Sequence, residues 1–430
     1  MTRPRPIEFW RTRAREGWSE WKAALDQAWA EIPAADKARV VASTPCEEAI
    51  QAYWKSGGDD DADPLVGVPC AWKDLFDLAG IPTGAGSTFL AGLRPTPTDH
   101  AEAVRRGLGL GLIPVAKTQL HEFAYGLTGE NPHFGTCPHP HFKDRVSGGS
   151  SSGSAYLVGK GILPVAFGTD TGGSIRAPAA YCGLYGYRHV PGPWLEGCFP
   201  LAPSFDTLGW FTGNAGDMLT MLRAWNPEAK QSGNAPRSFQ VFVPEDFGYT
   251  DRLHPWIDPL PAGKALDARE WNQLLAPALE AFVILQSAEA FAAHRSWIDE
   301  RRDEYDPAVW ERIARGGRWT ATELRRARAF QAQCRERLEK VLANGPLLMP
   351  AVPTPAPRLN ELSEALRHRS LTYTVLASLT GKACVTIPIP VDSLTLGLQV
   401  ILRHPEDAIP TLESLLKHWG QTNLHSTISL

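Results

Sequence analysis

Two short runs set serines among paired glycines: VSGGSSSGS, from Val146 to Ser154, and GTDTGGSIRA, from Gly168 to Ala177. Glycine–serine tracts are commonly slack linkers. A glycine pair just before a serine also opens backbone conformations closed to other residues and lets N–H groups approach a ligand closely. In TDTGGS, Thr169 to Ser174, several successive N–H groups can converge on one oxygen, as an oxyanion hole requires. Ser174, at the end of that turn, can attack a carbonyl if another group removes its proton. Taken alone, the run fits a tight turn with a solvated serine better than a catalytic site.

The base is the next question. Histidine is the usual one in a Ser-His-Asp arrangement, and the chain has twelve histidines. His133, His139 and His141 cluster in NPHFGTCPHPHF, but no G-x-S-x-G elbow accompanies them. Their spacing matches no standard zinc motif, and turn or packing roles are the expectation. Lysine is the alternative, provided that it is neutral; burial can lower its reference pKa of about 10.4 by several units. Lys73 lies between apolar residues in VPCAWKDLF, a setting that would desolvate an amine. Local sequence alone favours a surface lysine paired with Asp74. GGSSSGSA lacks the lysine of a phosphate-binding loop, so nucleotide binding is not expected.

Alternating short apolar strands and helices must position these groups, the pattern of an α/β layered fold. Residues 5–31 read as helical, with Trp18, Trp21, Leu25 and Trp29 as a docking stripe. LVGVPCAWKDLFDL reads as a strand end followed by a functional loop or short strand, 100–112 as a helix, and LIPVAKT as a buried strand. AYLVGKG reads as a short helix and LPVAFG as a buried strand. GGDDDADP, 57–64, reads as a solvated acidic turn, and NPEAKQSGNAPR, 226–237, as a hydrophilic break before a strand in SFQVFVP. Thr320 and Glu323 have capping-box spacing and open a helix ending near Asn344 and Gly345. PLLMPAVP and ACVTIPIP read as strands on either side of a helical LTYTVLASL, and complete the same sheet.

The chain has 430 residues, 43% hydrophobic and 21% charged, with a formal net charge of −4. This is the composition of a soluble globular protein and carries no basic nucleic-acid footprint. No apolar run is read as long enough to span a bilayer, and no signal-like segment is read at the N-terminus. Seven scattered cysteines without a C-x-x-C pair fit reduced thiols and a cytoplasmic location. The fifteen tryptophans read mainly as packing residues.

GGSSSGSA followed by GTDTGGSIRAPAAYCGLYG resembles the signature of the amidase signature family. PLVGVPCAWKDLFDLAGIPTGAGS resembles its lysine segment, and KTQLHEFAYGLTGENPHFGTCPHPHFKDR the segment between the two. SFDTLGW, 204–210, resembles a further recurrent stretch. The resemblance is strong over 65–215 and weaker over 346–402. It implies a single α/β domain over 1–430, with a central mixed twisted sheet flanked by helices in an α/β/α layering. Within it, 1–60 would be an N-terminal helical segment, 65–215 the catalytic core, 225–340 a variable region, and 346–430 strands and helices completing the sheet.

The resemblance implies Lys73 as general base, Ser150 as a bridging serine after a cis bond from Gly149, and Ser174 as nucleophile. It places the oxyanion hole on the N–H groups of Thr171, Gly172, Gly173 and Ser174. Ser152 stands where the family often has glycine and reads as structural. Ala124, Tyr125 and Gly126 match a segment that lines the acyl site in relatives. Asp170 and Arg176 read as structural support through charge-assisted bonds, with Arg145 and Arg188 in the same role.

The implied activity is hydrolysis of a small or medium carboxamide through an acyl-enzyme, with no metal or organic cofactor. The implied partner is the small-molecule amide itself, with no nucleic acid and no membrane; a homodimer is compatible with the resemblance. The 121–210 block is most similar to the branch of indole-3-acetamide hydrolases, which points toward an arylacetamide. Two other functions fit the same fold: the glutaminase subunit of a tRNA amidotransferase, and a non-catalytic binding protein. Occupied Lys-Ser-Ser positions argue against the last.

Overall fold

The computed structural model describes residues 5–56, 64–226 and 235–420. The acidic turn at 57–64 and the hydrophilic break at 226–237 fall mostly outside those residues.

Among the described residues, ten strands form one mixed sheet. In chain order they are β1 (Val41–Ser43), β2 (Val68–Lys73), β3 (Leu112–Thr118), β4 (Val165–Thr169), β5 (Tyr185–Arg188), β6 (Leu208–Thr212), β7 (Gln240–Val241), β8 (Leu347–Pro350), β9 (Cys384–Val391) and β10 (Leu394–Ile401). Across the sheet they run β1-β3-β2-β4-β6-β5-β9-β10-β8-β7. The strands β3, β2 and β4 are mutually parallel, and the sheet turns antiparallel on both sides of them. Every residue of these three strands is buried. That explains why they read as continuous apolar runs rather than alternating ones. Trp72 of β2 stacks on Phe167 of β4 with ring centroids 3.9 Å apart. The strands from the last hundred residues join through pairing of β5 with β9, so both ends of the chain build one sheet.

Three sequence expectations need correction. Residues 5–31 form two helices, Ile7–Glu16 and Trp18–Ala30, because Gly17 sits at φ 109° between them. Trp21 and Leu25 of the stripe are buried against the body all the same. The strand expected in SFQVFVP shrinks to the two residues of β7, an edge strand pairing only with β8. The helix Ala268–His294, with 27 residues, is long and apolar enough by composition to cross a membrane. Here Leu275, Leu279 and Phe282 bury that apolar face in a core shared with Ile313, Leu338 and Leu371. The capping box at Thr320 and Glu323 forms as expected and opens the helix Ala321–Leu342.

Candidate active site

The strands β2, β3 and β4 end together, with Lys73, Thr118 and Thr169 as their last residues. Ligands of open α/β sheets bind beyond the carboxyl ends of parallel strands. Lys73 is fully buried. Its Nζ lies 2.6 Å from Ser150 Oγ and 2.9 Å from Thr169 Oγ1. Burial brings its pKa down to about 7, against the pull of the nearby Asp206 and Asp170 carboxylates. Asp74, the expected neighbour, instead pairs with Lys117 at 2.7 Å. The Gly149–Ser150 bond is cis, as the resemblance implies. Ser151 Oγ donates to the Thr169 carbonyl and Ser152 Oγ to that of Gln119, so the two following serines hold the loop.

Ser174 closes the turn after β4 and is 2% exposed. Among the described residues no hydrogen bond joins it to Ser150, so the geometry connects Lys73 to Ser150 and leaves the Ser174 hydroxyl unpaired. The turn is shaped by Asp170, whose carboxylate accepts the N–H groups of Gly173 (2.8 Å) and Ile175 (3.0 Å). This corrects the expected oxyanion set. The Gly173 N–H is engaged by Asp170, while those of Thr171, Gly172 and Ser174 have no acceptor among the described residues. Gly173 still needs to be glycine. Its φ is +125°, and a Cβ would come 2.9 Å from the Thr374 side chain.

Asp170, Arg176 and Arg188 are buried together. Arg176 Nη2 and Arg188 Nη1 lie 2.9 and 2.8 Å from Asp170 Oδ1. Burial alone would raise this carboxyl, but the two guanidiniums outweigh it and hold it well below the usual range. Arg145 differs from the expected grouping: it reaches the Ala356 carbonyl, not a carboxylate.

Several positioning residues carried no clear local signal. Thr171 Oγ1 donates to Asp206 Oδ1 at 2.5 Å, and the other Asp206 oxygen accepts the N–H groups of Leu201 and Ala202. Asp206 lies in SFDTLGW, a stretch noted for resemblance without a role. Thr374, in the helix Glu364–Thr380, donates to the Gly172 carbonyl at 2.5 Å. His121 donates its backbone N–H to the Ser150 carbonyl at 3.1 Å. Its imidazole is buried with no partner at Nδ1. Burial, then Arg312, Arg367 and Lys73, keep that ring well below its usual pKa.

Ala124, Tyr125 and Gly126 follow directly. Ala124 has φ 59°, Tyr125 is buried, and a Cβ on Gly126 would fall 2.2–2.4 Å from three His121 ring atoms. Of the three histidines in NPHFGTCPHPHF, His133 Nε2 pairs with Glu122 at 2.9 Å, while His139 Nε2 meets the Tyr181 carbonyl and its Nδ1 accepts the His141 N–H.

The amidase family model matches residues 22–248. The chain is 30% identical over 385 residues to Amidase 1 of Oryza sativa subsp. japonica, covering 80% of this chain and 88% of that protein. It is 37% identical over 171 residues to the indoleacetamide hydrolase of Pseudomonas savastanoi, covering 40% of this chain and 37% of that one. A crystal structure of an amidase, 30% identical, superposes with a TM-score of 0.76 over 96% of this chain and 97% of that one.

Proposed function

Since the chain belongs to the amidase signature family and is an amidohydrolase, we propose that it cleaves the C–N bond of a small or medium carboxamide through a Lys73–Ser150–Ser174 relay. Neutral Lys73 takes the Ser150 hydroxyl proton as Ser150 takes that of Ser174. The Ser174 oxygen bonds to the carbonyl carbon, and the carbonyl oxygen becomes an oxyanion facing the N–H groups of Thr171, Gly172 and Ser174. Collapse breaks the C–N bond. The relay returns its proton to the leaving nitrogen, which departs as ammonia or amine and leaves an ester on Ser174. Water, deprotonated by the same relay, attacks the ester and releases the acid.

The observation that carries this reading is the 2.6 Å contact between Ser150 Oγ and a fully buried Lys73 amine. A buried lysine with a pKa near 7 is neutral often enough to act as a base. The test is direct. A fluorophosphonate probe should label Ser174, and the purified protein should release ammonia from a panel of primary amides, aryl amides and ureas. Ser174→Ala should lose both. Labelling and hydrolysis that survive in Ser174→Ala would overturn the assignment.

A further inference from the structure

The helix Glu364–Thr380 covers the nucleophile turn with one face. Thr374 Oγ1 binds the Gly172 carbonyl, and a Cβ on Gly172 would lie 3.0 Å from Leu371 and 3.3 Å from Phe282. Residues spaced three, four and seven apart share one face of a helix, and side chains lean toward its N-terminus. Arg367 therefore continues the stripe of Leu371 and Thr374, one turn beyond the apolar wall over Gly172. Its guanidinium lies 5.9 Å from the Tyr125 ring centroid. A second guanidinium arrives from another element: Arg312, on the helix Pro307–Arg315, donates to the Tyr125 carbonyl at 2.7 Å. Arg312 is 8% exposed.

The charges at this end do not balance. The carboxylate paired with both arginines is Glu364, whose side chain is 63% exposed. It contacts Arg312 closely but stands 3.6 Å from Arg367. Arg367 Nε is buried with no hydrogen-bond partner among the described residues. Burial, with repulsion from Arg312 and Arg315, brings the Arg367 guanidinium down to about 10, still charged at neutral pH. A planar guanidinium with free donors is suited to a carboxylate.

Building on the relay proposed above, we infer that Arg367, with Arg312 beside it, forms a carboxylate subsite across the Tyr125 wall. The substrate is then an amide bearing a carboxylate at the end remote from its scissile bond, such as the monoamide of a dicarboxylic acid. Its short apolar middle lies against Leu371 and Phe282. This departs from a neutral arylacetamide.

The experiment pairs glutaramic and adipamic acids with the neutral diamides of the same chain length. The native protein should favour the acids by tenfold or more in kcat/KM. Arg367→Met should lower that ratio at least tenfold, mainly through KM, and Arg367→Lys should recover part of it. Calorimetry on Ser174→Ala, which cannot turn the compounds over, should give tighter binding of the acids than of the diamides. Equal use and equal binding of acids and diamides would overturn the subsite while leaving the amidase reading intact. Selective binding of the acids with no turnover by the native protein and no serine labelling would support the subsite and overturn the relay.

Discussion

Lys73 Nζ and Ser150 Oγ stand 2.6 Å apart with both side chains fully buried. A cation in that position would lack the water that normally stabilises it. Burial there favours the neutral amine over the charged one.

With a pKa of about 7, Lys73 is protonated and idle below that value and free to act above it. The acylation rate should rise with pH along a single ionisation near 7 and then level off. Stopped-flow measurement of acyl-enzyme formation against pH checks this. A rate independent of pH between 5 and 9 would contradict it.

Stability should follow the same group. The folded pKa of about 7 lies below the unfolded value of about 10.4. Between the two, the unfolded chain binds more protons, so this contribution to stability rises with pH across the window. Lys73→Met should remove that slope. Below pH 7, where the native amine must carry its charge in a buried site, the variant should match or exceed the native thermal midpoint, since it has no charge to desolvate. Activity should fall by roughly 10²–10⁴. Calorimetric melts at several pH values, beside activity assays, separate the two effects.

Asp170→Asn should behave in the opposite way. It leaves Arg176 and Arg188 buried without their shared counter-charge. Breaking such a group from one side costs about 3–5 kcal/mol. Urea unfolding should show a loss of that order, with Ser174 labelling reduced because Asp170 also fixes the Gly173 and Ile175 amides.

Gly126→Ala forces a methyl group into the His121 ring. His121 is also the residue whose amide holds the Ser150 carbonyl. Activity should fall tenfold or more. The double variant His121→Ala/Gly126→Ala should recover part of the loss by removing the obstructing ring. A double-mutant cycle with no coupling between these positions would disprove the link.

The parts of the architecture readable from sequence were those set by short-range physics. Continuous apolar runs announced β2, β3 and β4, and Thr320 with Glu323 announced a helix start. The glycine–serine runs suggested a nucleophile turn, but it took resemblance to a family to choose Lys73 over its local reading. The structure shows why local reading failed there. Asp74, just past the end of β2, meets Lys117 of the neighbouring strand β3 rather than Lys73 beside it in sequence. The resemblance places the Gly173 amide in the oxyanion hole, and nothing along the chain shows that Asp170 folds back to take it. Arg312 and Arg367 left no trace near the motifs, because the helices that carry them reach Tyr125 only through tertiary packing.

Arg176 binds the Thr374 carbonyl, Gln399 and Ser378 as well as Asp170. The turn bearing Ser174 is thus braced by residues made some two hundred positions later in synthesis. A growing polypeptide that has made Ser174 but not the helix Glu364–Thr380 or Gln399 of β10 would carry that turn without the side chains that brace it, so the turn should set only after those later elements are in place.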